Sequence, residues 1–236
     1  MASNEAAAGA QLAPLIAVVG CDGSGKSTMA AELIAWLGQF RPVGTVYLGL
    51  GSGNIGNRIK AWPLIGPPLE AYLSRKAGQA RKKDAKIPGA PTALVIFVFS
   101  LIRYSRFRRT LALRRKGVTV ITDRYPQKEV PGFYDGPGLA AARAEGPLVR
   151  WLAAREWALY EEMAGHVPNL VIRLNVDAAT ALARKPDHKP DSIAAKVAVT
   201  PLLSFNGAPM VDLDATMDYA EELALAKAAI EDALAT

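Results

Sequence analysis

The chain has 236 residues, enough to bury a full core as one α/β domain, and half of them are hydrophobic while 21% are charged, which excludes a disordered or fibrous class. One cysteine excludes an internal disulfide framework and fits a reducing, cytoplasmic compartment. The net charge of +6 suits anionic ligands, nucleic acid or an acidic membrane surface, without choosing among them.

Residues 1–13 are Ala-rich, with no basic start and no long apolar core. They read as a disordered leader, not a signal peptide, ahead of a single domain over 14–236. An apolar run predicts a buried strand over 15–19, and a helical pattern follows over 29–37. Between them lies Gly20-Cys21-Asp22-Gly23-Ser24-Gly25-Lys26-Ser27-Thr28, an ungapped match to G-x-x-x-x-G-K-[S/T]. A Gly-rich turn from strand to helix aims successive backbone N–H groups and a helix N-terminus at one spot, and adjacent phosphates are its natural guest. Lys26 would reach the β- and γ-phosphates of ATP, and the Ser27 hydroxyl would hold Mg²⁺. Gly20, Asp22, Gly23, Ser24, Gly25 and Thr28 complete the cradle. Cys21 reads as a small residue in a tight loop.

A second strand is predicted over 43–48, followed by an irregular Gly-, Ser- and Asn-rich segment over 49–56 and a helix over 67–80. Arg75, Lys76, Arg81, Lys82, Lys83 and Lys86 form one basic run. A helix over 92–116 opens with a strongly apolar stretch, 92–102, that falls well short of the ~20 residues a spanning helix needs. It reads as a buried core helix, with a membrane-surface helix as the alternative. Its second half carries Arg103, Arg106, Arg108, Arg109, Arg114, Arg115 and Lys116. Tyr104 and Phe107 are interleaved there at helical spacing, which favours core contacts over stacking on nucleic-acid bases, so nucleic acid is not the expected partner.

The third predicted strand, 118–122, runs directly into Asp123-Arg124-Tyr125. An acidic residue at a strand tip beside the phosphate loop can order the water shell of Mg²⁺ or polarise an acceptor. The adjacent Arg offers a planar fork for phosphate oxygens. A Pro- and Gly-rich segment, 126–147, leaves the sheet on the same side. A helix over 147–164 follows, then His166, which reads as a helix-end residue and not a metal ligand. A strand over 170–176 and a short helix over 178–184 lead to Arg184-Lys185-Pro186-Asp187-His188-Lys189-Pro190, whose cations and flanking prolines suit a lid, about 184–191, that closes over phosphates. A helix over 192–199, a strand over 209–213 and a helix over 217–234 complete the chain. Strand–helix alternation predicts a three-layer α/β fold, a parallel sheet of about five strands flanked by helices, with ligands at the strands' C-terminal ends. No His/Cys/Asp cluster has metal-ligand spacing, so Mg²⁺ is the only metal expected.

These signatures, in this order, resemble the thymidylate kinase family of P-loop nucleotide kinases over nearly the whole chain. The points of resemblance are Asp22 inside the phosphate loop, Asp123-Arg124-Tyr125, the basic lid, Gly117 before the third strand, and the segment 99–103 ending in Arg103. The resemblance implies that Asp22 contacts the acceptor's sugar, that Arg103 and Arg124 hold its phosphate with Tyr125 beside them, and that Arg184 and Lys185 act on the transferring group. It also implies a homodimer. Gly23 stands where some members carry an arginine, so the charge stabilisation must come from the lid. Two segments depart from the family. Leu48-Gly49-Leu50-Gly51-Ser52-Gly53-Asn54 lacks the usual Arg-Glu-Pro-Gly element, and Pro126–Gly138 replaces the usual Ser and Tyr-Gln-Gly segment. The donor half is retained and the acceptor half rewritten. The expected activity is ATP-dependent transfer of the γ-phosphate to a nucleoside monophosphate or related small phosphorylated acceptor. The alternative is a nucleotide-dependent switch or membrane-associated P-loop ATPase with no small acceptor.

Overall fold

The computed structural model describes residues 12–49, 89–141 and 143–235. The predicted helix over 67–80, the basic run 75–86, most of the Gly-rich segment 49–56 and all but the end of the leader lie outside the described residues. Five strands, β1 (Leu15–Gly20), β2 (Val43–Tyr47), β3 (Thr119–Asp123), β4 (Leu170–Asn175) and β5 (Met210–Asp214), form one all-parallel sheet in the order β2-β3-β1-β4-β5. Six α-helices are described: α1 (Lys26–Leu37), α2 (Gly89–Arg115), α3 (Pro147–Gly165), α4 (Ala178–Arg184), α5 (Pro190–Val199) and α6 (Tyr219–Ala235). The expected three-layer fold is present, and each described strand lies within one or two residues of its predicted place.

The period of a strand explains the layers. Side chains of β1 alternate between faces, so Ile16 and Val18 pack with Leu33 and Ile230 from α1 and α6. Leu15, Ala17 and Val19 pack on the other face with Phe107, Leu111, Tyr160 and Met163 from α2 and α3. β1 is fully buried on both faces, as its unbroken apolar run demands. Placing β1 between β3 and β4 brings three strand tips together. The phosphate loop, Asp123-Arg124 and the segment leading to α4 therefore share one edge of the sheet.

Helix α2 is longer than its apolar stretch alone implied. Its 27 residues are long and apolar enough to cross a membrane by length and composition. One face is core, through Ala93, Ile96, Phe107 and Leu111. Leu94, Val98 and Leu101 of α2 are exposed, as are Leu148 and Trp151 of α3. The two helices run side by side, pairing Phe97 with Trp151 and Ser100 with Glu156.

Candidate active site

The phosphate loop owes its shape to glycine. Gly20, Gly23 and Gly25 take φ values of +150°, +88° and +91°, a region that side chains disfavour. A Cβ on Gly23 would also meet the Ala181 carbonyl oxygen at 2.7 Å, so the loop seats directly on α4. That close approach leaves no room for the arginine some similar loops carry there. Gly25 caps α1 with no side-chain hydrogen bond, which leaves the first-turn N–H groups of the helix free of a competing cap. Ser24 Oγ is buried and has no hydrogen-bond partner among the described residues.

Lys26 is buried, and its ammonium donates to the Cys21 carbonyl at 2.6 Å. Burial, assisted by the nearby Arg124 charge, lowers its pKa to about 8. The Cys21 thiol is buried too, and burial raises its pKa, opposite to the activation a helix N-terminus alone would give. Ser27 Oγ donates to Asp123 Oδ2 at 2.7 Å, while Asp123 Oδ1 is buried without a partner among the described residues. A hydroxyl and a carboxylate with a spare, buried oxygen form the donor set a hard, oxygen-seeking cation requires. Thr28 is exposed in the same first turn.

Asp22 is the hub of the site. Its Oδ1 accepts from Arg124 at 2.8 Å, its Oδ2 contacts the Lys196 ammonium, and His188 Nε2 stands 3.8 Å from Oδ2. Burial works to raise the Asp22 pKa, but Lys196 and Arg124 together outweigh it and hold the carboxyl well below the usual range. Arg124 adopts φ +75° at the strand tip, its N–H donating to the Val18 carbonyl at 2.9 Å. Its guanidinium is shared between Asp22 and Asp135, the latter at 3.8 Å. Burial opposes its charge, yet Asp135 and Asp22 prevail and raise its pKa above the ordinary arginine value.

Arg103 was expected to hold an acceptor phosphate, but its side chain is 0% exposed and its donors are committed. It donates to the Leu48 carbonyl at 2.7 Å, to the Asp135 carbonyl at 3.0 Å and to Asp135 Oδ1 at 2.6 Å, and contacts the Tyr160 hydroxyl. It ties α2, α3, the end of β2 and the 126–138 segment together. Tyr125 turns into the core, where its ring meets Phe107 and Phe205 edge-on and its hydroxyl donates to the His166 carbonyl. Arg184 packs against the loop, donating to the Gly23 carbonyl at 3.2 Å and the Ala215 carbonyl at 2.9 Å. Lys185 is exposed on the α4–α5 connection.

Two residues unpredicted from the sequence complete the arrangement. Asp135 joins Arg103 to Arg124, within a segment folded on itself by Gln127, whose amide donates to the Val130 and Phe133 carbonyls at 2.9 and 2.8 Å. Lys196 reaches the phosphate loop from α5, not from the lid connection. Its signal in the sequence is its isolation, because no other charged residue occurs between Asp191 and Asp212.

No family model matches the chain. It is 46% identical over 221 residues to "Uncharacterized ATP-binding protein YghS" of Escherichia coli (strain K12), covering 93% of each chain. It is 42% identical to "Uncharacterized ATP-binding protein YghR" of the same strain, over 92% of this chain and 86% of that one. A "Probable thymidylate kinase" of Pyrobaculum calidifontis is 29% identical over 72% of this chain and 67% of its own. Among solved structures, deoxyadenosine kinase from M. mycoides with bound dATP superimposes with a TM-score of 0.53 at 14% identity, over 92% of this chain and 99% of that one, a likeness of fold. With a phosphate loop, a 2-3-1-4-5 parallel sheet and full-length similarity in hand, we conclude that this chain has a P-loop kinase fold and belongs to the family of YghS and YghR.

Proposed function

We propose that this protein is an ATP-dependent phosphotransferase acting on a small-molecule acceptor, a nucleoside monophosphate or related phosphorylated compound. The observation that carries the reading is the convergence, at one sheet edge, of the uncapped α1 N-terminus, Lys26, Ser27–Asp123 and Arg124. The names of the ATP-binding relatives YghS and YghR support ATP as the donor. The likeness to the probable thymidylate kinase and the deoxyadenosine kinase fold supports transfer to an acceptor.

In this reading the loop amides, Lys26 and the unpartnered Ser24 hydroxyl hold the donor phosphates. Ser27 and Asp123 would hold Mg²⁺, which would neutralise phosphate charge. Arg124, poised beside Asp22, orients the acceptor. The γ-phosphorus gains a bond to an acceptor oxygen as its bond to the β–γ bridging oxygen breaks, and the electron pair leaves with ADP. A phosphate acceptor is already anionic, whereas a hydroxyl acceptor must give its proton to Asp22 or Asp123. Incubation with ATP, Mg²⁺ and dTMP, other nucleoside monophosphates, nucleosides or sugar phosphates, with products identified by mass, tests the assignment. A product 80 mass units heavier than one acceptor is expected.

One observation favours a second reading. Leu94, Val98 and Leu101 of α2 and Leu148 and Trp151 of α3 are exposed apolar side chains on two packed helices, compatible with a nucleotide-dependent, membrane-associated ATPase. ATP hydrolysis accelerated by acidic liposomes and by no acceptor would select it.

A further inference from the structure

Neither the phosphate-loop motif nor the basic run 184–189 assigns a role to Lys196, yet its ammonium contacts an acidic side chain of the loop, whereas Arg184 meets only a loop carbonyl. It projects from α5 onto Asp22 Oδ2. Its helix is fixed at that point, because the Tyr134 hydroxyl donates to the Lys196 carbonyl at 2.6 Å and Thr200 Oγ1 does so at 3.0 Å. Arg173, which pairs with Asp212 across β4 and β5, clamps the next residues by donating to the Thr200 and Leu203 carbonyls. Arg184 holds the Gly23 and Ala215 carbonyls, and Lys185 is exposed on the connection between α4 and α5. Asp22 also shares its cations with other carboxylates, because Asp135 pairs with Arg124 and Asp123 acts on the Lys26 charge. Arg124 and Lys196 touch Asp22, and Lys26 lies close enough to act on its charge. A phosphate group entering the loop would offer Lys196 a stronger partner than Asp22 does.

Building on the phosphotransferase reading, we propose that Lys196 is the catalytic cation for the transferring phosphoryl group, stored on Asp22 while the loop is empty and handed to the γ-phosphoryl oxygens when nucleotide binds. Lys196 makes and breaks no covalent bond in this role. Its ammonium offsets the charge that builds on the γ-phosphoryl and β–γ bridging oxygens, and its departure frees Asp22 Oδ2 to face the acceptor.

The test compares the dissociation constant of Mg·ADP alone with that of Mg·ADP plus aluminium fluoride, a mimic of the phosphoryl group in flight, by titration calorimetry. Wild type, Lys196→Met, Lys196→Gln and Lys196→Arg are compared, with thermal melting to confirm that each is folded. The readout is the ratio of the two constants, which a merely structural loss does not change. We expect aluminium fluoride to tighten ADP binding in wild type, the gain to fall tenfold or more in both the Met and Gln variants, and Lys196→Arg to keep most of it. An unchanged ratio in either folded neutral variant, or equal weakening of both constants, overturns the proposal while leaving the phosphotransferase reading intact. Failure of the wild type to bind Mg·ADP at all overturns both.

Discussion

Burial, with the Arg124 charge beside it, lowers the pKa of the Lys26 ammonium to about 8 from its ordinary value of 10.5. The unfolded chain therefore binds more protons than the folded one between about pH 8 and 10.5. In nucleotide-free protein, stability contributed by this group rises with pH across that window. Bound phosphates favour the charged form. Nucleotide binding at pH 8 should then take up about half a proton, and affinity should fall as pH rises above 8. Calorimetry in buffers of different ionisation enthalpy measures that uptake, and Lys26→Ala should abolish it. Arg103 makes the opposite kind of prediction. As a fully buried partner of Asp135 it serves the fold, so Arg103→Ala should cost about 3–5 kcal/mol in urea unfolding. A variant of undiminished stability would show that these bonds do not hold the fold together.

Among the elements, the phosphate loop and α4 are coupled through Gly23. Gly23→Ala places a methyl group against the Ala181 carbonyl in a backbone region that disfavours side chains. Nucleotide affinity should fall tenfold or more while far-UV circular dichroism stays unchanged, whereas wild-type affinity in the folded variant would show that the loop tolerates a shift of α4. On the acceptor side, the Glu156 carboxylate of α3 accepts from the Gly138 and Leu139 N–H groups at 3.1 and 2.6 Å and from Ser100 Oγ at 2.6 Å. Glu156→Ala should release the end of the 126–138 segment that presents Asp135 to Arg124. Faster amide exchange over residues 135–140 would report it. Strands and helices were legible in the sequence because their signals are local: an apolar run bounded by Gly or Asp, or a 3.6-residue period. The loop–α4 contact was not, because it depends on which strand lies beside β1.

At the scale of the whole molecule, the parallel sheet converts local motifs into a site. Gly20–Thr28 and Asp123-Arg124 were readable as neighbours because alternation of strands and helices places strand tips at one edge. The direction of a side chain beyond the tip was not readable. Arg124 turns toward Asp22 while Tyr125, one residue later, turns into the core. Likewise the run of cations over 184–189 announces basic character, but α5 delivers Lys196 to the loop and the connection leaves Lys185 in solvent. The layers also leave exposed apolar side chains on α2 and α3, which among the described residues favour a membrane partner over an acceptor. The fate of the γ-phosphate decides between these readings most directly. With γ-labelled ATP, Mg²⁺ and the acceptor panel, label is expected in an organic product from wild type and none from folded Lys26→Ala. Label found solely in inorganic phosphate, at a rate indifferent to every acceptor and raised by acidic liposomes, would contradict the phosphotransferase reading.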